Sequence, residues 1–233
     1  TERIEVQDHW DFAFAQTVRE ALLEELDAGR QMNDFPIHPR RLVHAVRDAL
    51  PTDGIVSLDN GLYKVWFARN FRTIRPNTLL LDNALATMGA GLPVAMSAKI
   101  TLPDRKVLAV CGDGGFMMNS QELETAVRLG LDLVVLILRD DAYGMIRWKQ
   151  ADMDLPDFGL QFGNPDFVRY AESYGAHGHR AESVAHLEQL LADALGGTGV
   201  HVIDCPIDYA DSQHELFEAL PERSAKLVPD RGA

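Results

Sequence analysis

The chain has 233 residues, of which 46% are hydrophobic and 24% are charged, a composition typical of globular proteins rather than disordered ones. Its formal net charge is -13 and no basic stripe is visible, so neither nucleic acid nor an anionic membrane is expected as a partner. The longest aliphatic run, residues 133–138, is too short to span a bilayer. Two cysteines exclude a disulfide scaffold, and no signal-peptide pattern opens the chain, so we expect a cytoplasmic protein.

The N-terminal stretch, residues 1–35, is acidic and mostly polar. Its apolar positions approximate helical spacing, which predicts an amphipathic helix ending near Gly29 and then a linker. We interpret this stretch as a packing arm without chemistry. The main domain is expected over residues 36–210, and a tail over residues 211–233.

Helix-like and strand-like segments alternate along the main domain. Buried strands are predicted over residues 54–59, 78–82, 106–111, 133–138 and 200–205. Helices are predicted over residues 39–50, 88–100, 120–129, 165–174 and 184–195, the third starting with a capping box from Asn119 to Glu122. Continuous apolar strands between helices predict an α/β fold, in which a parallel sheet carries helices on both faces, with the N-terminal helical arm added.

The most informative segment follows the third predicted strand, where the chain reads Gly112-Asp113-Gly114-Gly115. Glycines let the backbone approach an anion closely, and the next helix directs its N-terminus towards the same place. The segment is neither a Walker loop nor a dinucleotide fingerprint, because no Gly-Lys-Ser/Thr and no GxGxxG is present. A carboxylate beside a phosphate would repel it, so the pattern predicts a divalent cation between the two.

A second carboxylate, Asp140, follows Asp113 by 27 residues, the length of one loop, one helix and one strand. The two side chains would then lie at the carboxyl ends of neighbouring parallel strands, about 4.8 Å apart, where one cation could bridge them. Oxygen ligands beside a diphosphate favour Mg²⁺ over zinc. The alternative is that both residues are ordinary turn residues in an acidic protein.

These motifs resemble those of the thiamine-diphosphate-dependent decarboxylases and carboligases. The GDG segment, the Glu122-Leu123-Glu124-Thr125-Ala126 helix core and the Asp140-Asp141-Ala142-Tyr143-Gly144-Met145 segment carry the resemblance over residues 37–210. Within the family, the Thr87-Met88-Gly89-Ala90-Gly91-Leu92-Pro93 segment resembles acetolactate synthase. At position 140 most of the family has Asn, whereas Asp at this position resembles the catabolic enzymes of that branch. Those enzymes work without FAD, so FAD is not expected.

The resemblance implies thiamine diphosphate and Mg²⁺ as cofactors and assigns a role to each matching residue. Mg²⁺ would be held by Asp113, Asp140 and the Ala142 carbonyl. The diphosphate would meet Gly61, Gly112, Gly114 and Gly115. Met88 would be the apolar wedge that bends the cofactor, with simple helix packing as the alternative. Tyr143, Gly144 and Met145 would line the cofactor, and Trp148 and Lys149 fall where substrate contacts are expected.

The implied reaction is decarboxylation of pyruvate, followed by joining of the two-carbon unit to a second 2-oxo acid. Alternatives are a 2-oxo-acid decarboxylase, another carboligase, a non-catalytic partner module that retains the fold, or a nucleotide binder that uses Mg²⁺. Three departures bear on cofactor binding: Leu62 and Tyr63 replace polar residues, with Lys64 as a possible substitute charge, and Arg139 could pair with Asp140 or Asp141.

The family activates its cofactor with a glutamate on a separate pyrimidine-binding domain, usually supplied by the other subunit. No such domain is visible in these 233 residues, so no catalytic residue is assigned. We expect that domain to come from the rest of a longer polypeptide or from a separate subunit, in a homodimer or homotetramer of the complete enzyme.

Overall fold

The computed structural model describes residues 12–227. The strands are β1 (Ile55–Leu58), β2 (Leu79–Leu81), β3 (Val107–Gly112), β4 (Leu133–Arg139), β5 (His177–Arg180) and β6 (Val200–Pro206). The helices are α1 (Phe12–Asp27), α2 (Pro39–Ala49), α3 (Leu62–Asn70), α4 (Gly91–Thr101), α5 (Asp113–Asn119), α6 (Glu122–Arg128), α7 (Gly144–Asp152), α8 (Phe167–Ser173), α9 (Val184–Gly196) and α10 (Leu220–Leu227), the last preceded by a π-helical segment (His214–Ala219).

The six strands form one sheet in the order β2-β1-β3-β4-β6-β5, and every neighbouring pair is parallel. Side chains of β3 alternate between two apolar cores: Leu108 and Val110 face α2, α3 and α9, whereas Ala109 and Cys111 face α4, α6 and α8. Because both faces are covered, the central strands β3 and β4 are apolar from Val107 to Cys111 and from Leu133 to Leu138. This confirms the predicted parallel α/β sheet with helices on both faces, and Cys111 is a core residue as expected.

Two details of the predicted helices are wrong. The helix expected from Met88 begins only at Gly91, because Gly89 has φ = 86° and places a turn before it. The capping box is absent: α6 has Gln121 at its N-cap without a side-chain hydrogen bond, and Asn119 ends the separate helix α5. Asn119 Nδ2 instead donates to the Gly89 carbonyl at 2.8 Å.

Besides α5, the π-helical segment and α10, three further elements were not predicted, because their sequences lack a clear apolar period. Strand β5 reads His-Gly-His-Arg and lies at the edge of the sheet, where half-exposed polar residues suffice. Helices α3 and α7 begin directly beside the two predicted binding loops, at residues 62 and 144. Their positions matter for the site because they fix the ends of those loops.

Residues after β6 pack on the α2 and α3 side of the sheet. Trp66 Nε1 donates to Ser212 Oγ at 3.1 Å, Arg40 Nε donates to Glu215 Oε2 at 2.7 Å, and Leu216 is buried. The predicted arm and tail extend into residues 1–11 and 228–233, which lie outside the described residues. The limits at residues 35/36 and 210/211 remain predictions. None of the helices between residues 12 and 227 is long and apolar enough to cross a membrane.

Candidate functional site

The topology of the sheet places a crevice between the ends of β1 and β3. From β1 the chain moves outward to β2 and then returns to the other side of β1 as β3, so the direction of winding reverses there. Ligands of open α/β sheets bind outside the carboxyl ends of the strands at such a switch point. One cleft at this position is lined by all the residues predicted to bind the cofactor: Gly61, Met88, Gly112, Asp113, Gly114, Gly115, Asp140, Ala142, Tyr143, Gly144 and Met145.

The glycines of this cleft occupy positions where a side chain would collide with its surroundings. A Cβ on Gly114 would lie 2.6 Å from Cε1 of Tyr143, and one on Gly115 would lie 2.7 Å from Oδ2 of Asp59. A Cβ on Gly112 would lie 3.1 Å from Cε1 of Tyr63. These glycines therefore leave room for the side chains of Tyr143, Asp59 and Tyr63, which pack directly against the backbone after β3.

Asp113 is the first residue of α5 and only 1% exposed. Its Oδ1 accepts the Gly114 N–H at 2.8 Å, and its Oδ2 accepts the Asp141 N–H at 2.8 Å. Burial raises the pKa of Asp113, although these hydrogen bonds oppose the increase. The carboxylate is thus held in a fixed orientation at the tip of β3.

Asp140 follows the last residue of β4. Gly112 of β3 pairs with Leu138 of β4, so Asp113 and Asp140 continue from neighbouring strands at the same edge of the sheet. Burial raises the pKa of Asp140 to about 7, and the negative charge of Asp113 adds to the increase. Burial and the charge of Asp113 thus oppose ionisation of Asp140, and a divalent cation bound by both carboxylates would relieve this.

The loop after Asp140 carries the third predicted ligand. Ala142 is buried and forms a backbone bridge with Gln161, while Asp141 adopts a left-handed conformation with φ = 54°. The Tyr143 ring packs against Phe162 with 4.7 Å between centroids. Residues 12–227 contain no group of three or more His, Cys, Asp or Glu side chains able to hold a metal. A cation here would therefore need the Ala142 carbonyl and oxygen atoms of a ligand in addition to the two carboxylates.

Met88 lines the cleft from a turn that three side chains hold in place. Both Asp59 oxygens accept the Gly89 N–H, at 2.9 and 3.0 Å, and Asn60 Nδ2 donates to the Thr87 carbonyl at 2.6 Å. Asn119 holds the Gly89 carbonyl as described above. The half-buried Met88 side chain is therefore presented by a rigid turn before α4, not by a helix.

Arg139 does not approach the cleft as a competitor for a cation. Its Nε donates to the buried Asp204 at 2.9 Å, and its Nη1 lies 3.4 Å from Asp141 Oδ2. Asp204 binds Arg180 with its other oxygen at 2.9 Å. Of the two partners predicted for Arg139, Asp141 is the one that it contacts.

The residues predicted to contact substrate lie on α7. Trp148 lines a second cleft of about 680 Å³, which adjoins the first at Asp140 and Gly144, and its ring stacks on Phe217 at 4.0 Å. Lys149 is outside the lining of both clefts. Its Nζ lies over the Trp148 ring at 3.9 Å and 3.7 Å from Asp152.

Sequence reasoning missed three polar residues of the site, Asp59, Tyr209 and Asn164, and it named Tyr63 only as a departure from the family pattern. Asp59 is the last residue of a predicted strand, and Asp113 comes shortly after another, so a carboxylate at the end of each strand was a usable signal. Tyr63 and Tyr209 line the first cleft, and the Tyr63 hydroxyl is buried without a hydrogen-bond partner in the described part of the chain. Lys64 stabilises the loop after β1 instead of binding an anion: its Nζ donates to Asn60 Oδ1 at 2.6 Å and to the Asp82 carbonyl.

These features together fit a diphosphate carried by a divalent cation. The cleft offers the glycine backbone after β3, the paired carboxylates of Asp113 and Asp140, and the loop that carries the Ala142 carbonyl. It also contains the Tyr63 hydroxyl, which lacks a hydrogen-bond partner in the described part of the chain. Each of these atoms has chemistry suited to phosphate oxygens or to Mg²⁺.

Comparison with known proteins agrees with this geometry. A family model described as "Thiamine pyrophosphate enzyme, C-terminal TPP binding domain" matches residues 59–205. The chain is 37% identical to an acetolactate synthase of Bacillus subtilis over 191 residues, which is 82% of this chain and 34% of that protein. It is 39% identical to a catabolic acetolactate synthase of Raoultella terrigena over 184 residues, 79% of this chain and 33% of that protein.

Among solved structures, the thiamine diphosphate-dependent 4-hydroxybenzoylformate decarboxylase of Rhodococcus jostii RHA1 is similar with a TM-score of 0.70. The similarity covers 74% of this chain and 33% of that chain at 24% identity, and it shows a shared fold. The present chain spans about a third of the length of the curated relatives that it matches.

Proposed function

Because the chain belongs to the thiamine pyrophosphate enzyme family and matches that family's C-terminal TPP-binding domain, we propose that it is the diphosphate- and Mg²⁺-binding part of an acetolactate synthase-like enzyme. The observation that carries this proposal is the pair Asp113 and Asp140 at adjacent strand ends beside the glycine backbone. Each carboxylate is buried enough for its pKa to be raised, and a divalent cation would relieve both.

In this proposal the chain's own residues hold and orient the cofactor. Asp113, Asp140 and the Ala142 carbonyl bind Mg²⁺, while the N–H group of Gly115 faces the diphosphate; the Gly114 N–H, expected to do the same, instead donates to Asp113 Oδ1. Thiamine diphosphate, when bound, supplies a nucleophilic carbon and an electron-accepting ring for decarboxylation of a 2-oxo acid.

The remaining lining residues shape the site around the cofactor. The rigid Thr87–Gly89 turn presses Met88 against the cofactor, and Gly61 approaches it from the loop after β1. Tyr143, Gly144 and Met145 cover it and exclude water from the reacting region.

The proposed substrate is pyruvate, whose two-carbon unit is joined to a second 2-oxo acid. Identity of 37–39% to acetolactate synthases supports this choice over other reactions of the family. Asp140 supports a catabolic type, and FAD is not part of the proposal. Trp148, which borders the adjoining cleft, is the proposed substrate contact; Lys149 would reach substrate only by leaving the Trp148 ring.

The complete enzyme is proposed to be a homodimer or homotetramer in the cytoplasm. A pyrimidine-binding domain, from the rest of the polypeptide or from a separate subunit, would bring the glutamate that activates the cofactor. Both cysteines are buried and free, which agrees with a reducing compartment.

Calorimetry of the protein assembled with its pyrimidine-binding domain tests cofactor binding. Thiamine diphosphate should bind only when Mg²⁺ is present, and a folded Asp113→Ala variant should lose this binding. The control is Asp104→Ala, an exposed residue in the turn before β3 at the opposite end of the strand. Mg²⁺-dependent binding by Asp113→Ala would contradict the proposal, and ATP in place of thiamine diphosphate would test the nucleotide-binder alternative.

Product analysis tests the reaction. With pyruvate and both cofactors, the assembled enzyme should release acetolactate and carbon dioxide. Acetaldehyde as the main product would instead identify a decarboxylase, and binding without turnover would identify a non-catalytic module.

A further inference from the structure

A loop distant in sequence lies across the segment that carries the proposed metal ligands. The Tyr143 N–H donates to the Leu160 carbonyl at 3.0 Å, and the Phe162 N–H donates to the Asp141 carbonyl at 3.2 Å. These two backbone bonds hold residues 160–162 against residues 141–143. The chain then brings the side chain of Asn164 to the carboxylates of Asp113 and Asp141.

Asn164 connects Asp113 with Asp141. Its Nδ2 lies 2.8 Å from Asp113 Oδ2 and 2.7 Å from Asp141 Oδ1. Carboxylate oxygens accept hydrogen bonds, so the amide must direct its NH₂ group, not its carbonyl oxygen, towards them. The Oδ1 atom of Asn164 is consequently turned away from both, and it is buried without a hydrogen-bond partner among residues 12–227.

These contacts decide which oxygen of Asp113 is free for a cation. Oδ2 accepts two hydrogen bonds, from Asp141 N–H and from Asn164, whereas Oδ1 accepts only the Gly114 N–H. Each carboxylate oxygen has about two lone-pair sites in the carboxylate plane. Oδ2 is therefore saturated, and one lone pair of Oδ1 remains available to a cation.

We propose that Asn164 is a positioning residue for the bound divalent cation: its NH₂ group occupies Asp113 Oδ2 and thereby fixes Asp113 in the orientation that presents Oδ1. The inference rests on the proposed function, since it assumes a cation between Asp113 and Asp140. Residues that orient a metal ligand in this way usually affect the affinity of the site for its metal.

The test is Mn²⁺ affinity, measured by the electron paramagnetic resonance signal of free Mn²⁺ at saturating thiamine diphosphate, with the protein assembled with its pyrimidine-binding domain. Asn164→Ala should weaken Mn²⁺ binding about 10- to 100-fold, the usual effect of losing a residue that orients a metal ligand. Asn70→Ala, at the end of α3, is the matched control and should bind Mn²⁺ like the wild type.

Each outcome identifies which proposal fails. If the wild type binds no Mn²⁺ in the presence of thiamine diphosphate, the proposed function is wrong. If the wild type binds Mn²⁺ and folded Asn164→Ala binds it within twofold of that affinity, the role of Asn164 is wrong. A purely structural role would lower stability in EDTA but leave the Mn²⁺ affinity of the folded protein unchanged. If Asn164→Ala does not fold, Asn164→Ser, which is too short to join both carboxylates, should give the same loss of affinity.

Discussion

Removing the negative charge of Asp140 should make the metal-free protein more stable at neutral pH. Burial and the charge of Asp113 raise its pKa from 3.8 to about 7, so the folded protein opposes ionisation. Each pKa unit corresponds to 1.36 kcal/mol, and the shift thus costs the folded state about 4 kcal/mol once the pH exceeds 7. Asp140→Asn, neutral at every pH, should recover about 2 to 4 kcal/mol, the lower end allowing for relaxation around the charge.

The pH dependence follows from the direction of the shift. Between the unfolded and folded pKa values the folded state holds more protons than the unfolded state, so wild-type stability falls as the pH rises through this window. The advantage of Asp140→Asn should be small near pH 4, should grow up to about pH 7, and should then stay constant.

Urea unfolding in EDTA, followed by circular dichroism at several pH values, measures this difference. Asp104→Asn, exposed at the opposite end of the strands, is the control and should show no comparable gain. The reasoning would be refuted by an Asp140→Asn variant that is no more stable than the wild type at pH 8, or whose advantage does not depend on pH. With Mg²⁺ and thiamine diphosphate present, the advantage of Asp140→Asn should shrink, because the bound cation then offsets the negative charge of Asp140 in the wild type.

Three further predictions concern the framework around the cleft. Asp59→Ala should accelerate amide hydrogen exchange of Gly89 about tenfold or more, because a lost hydrogen bond near 1.4 kcal/mol corresponds to that factor. Unchanged exchange would mean that Asp59 does not hold the turn. Gly115→Ala should lower the free energy of unfolding by about 1–3 kcal/mol, because its Cβ would press on the fixed Asp59 carboxylate, and a neutral effect in urea unfolding would show that the site adapts. Leu136→Ala, fully buried in β4, should cost about 2–5 kcal/mol in the same assay, and a cost under 1 kcal/mol would contradict the close packing of the core on the α9 side.

The fold was predictable because burial leaves a periodic record in the sequence. Strands β3 and β4 are covered on both faces and read as apolar runs, so their existence and their parallel pairing followed from the alternation of such runs with helical segments. Strand β5 shows no apolar periodicity, because it lies at the edge of the sheet and consists mostly of polar residues. Helix α4 was predicted too long, because the small residues before it fit a helix locally, whereas the contact between Asp59 and Gly89 requires a turn.

Local sequence determined the glycine-rich backbone after β3, and the spacing of one βαβ unit determined that Asp113 and Asp140 leave adjacent strands at one edge. Tertiary structure alone decided which side chains complete the site. Asn164 meets Asp113 across 51 residues, and Asp59 meets Gly89 across 30. Such contacts depend on how separate loops converge above the sheet, and no periodicity of a single segment encodes that convergence. The convergence follows from the order of the strands in the sheet. Packing of the whole chain specifies that order, whereas the pattern of the sequence does not.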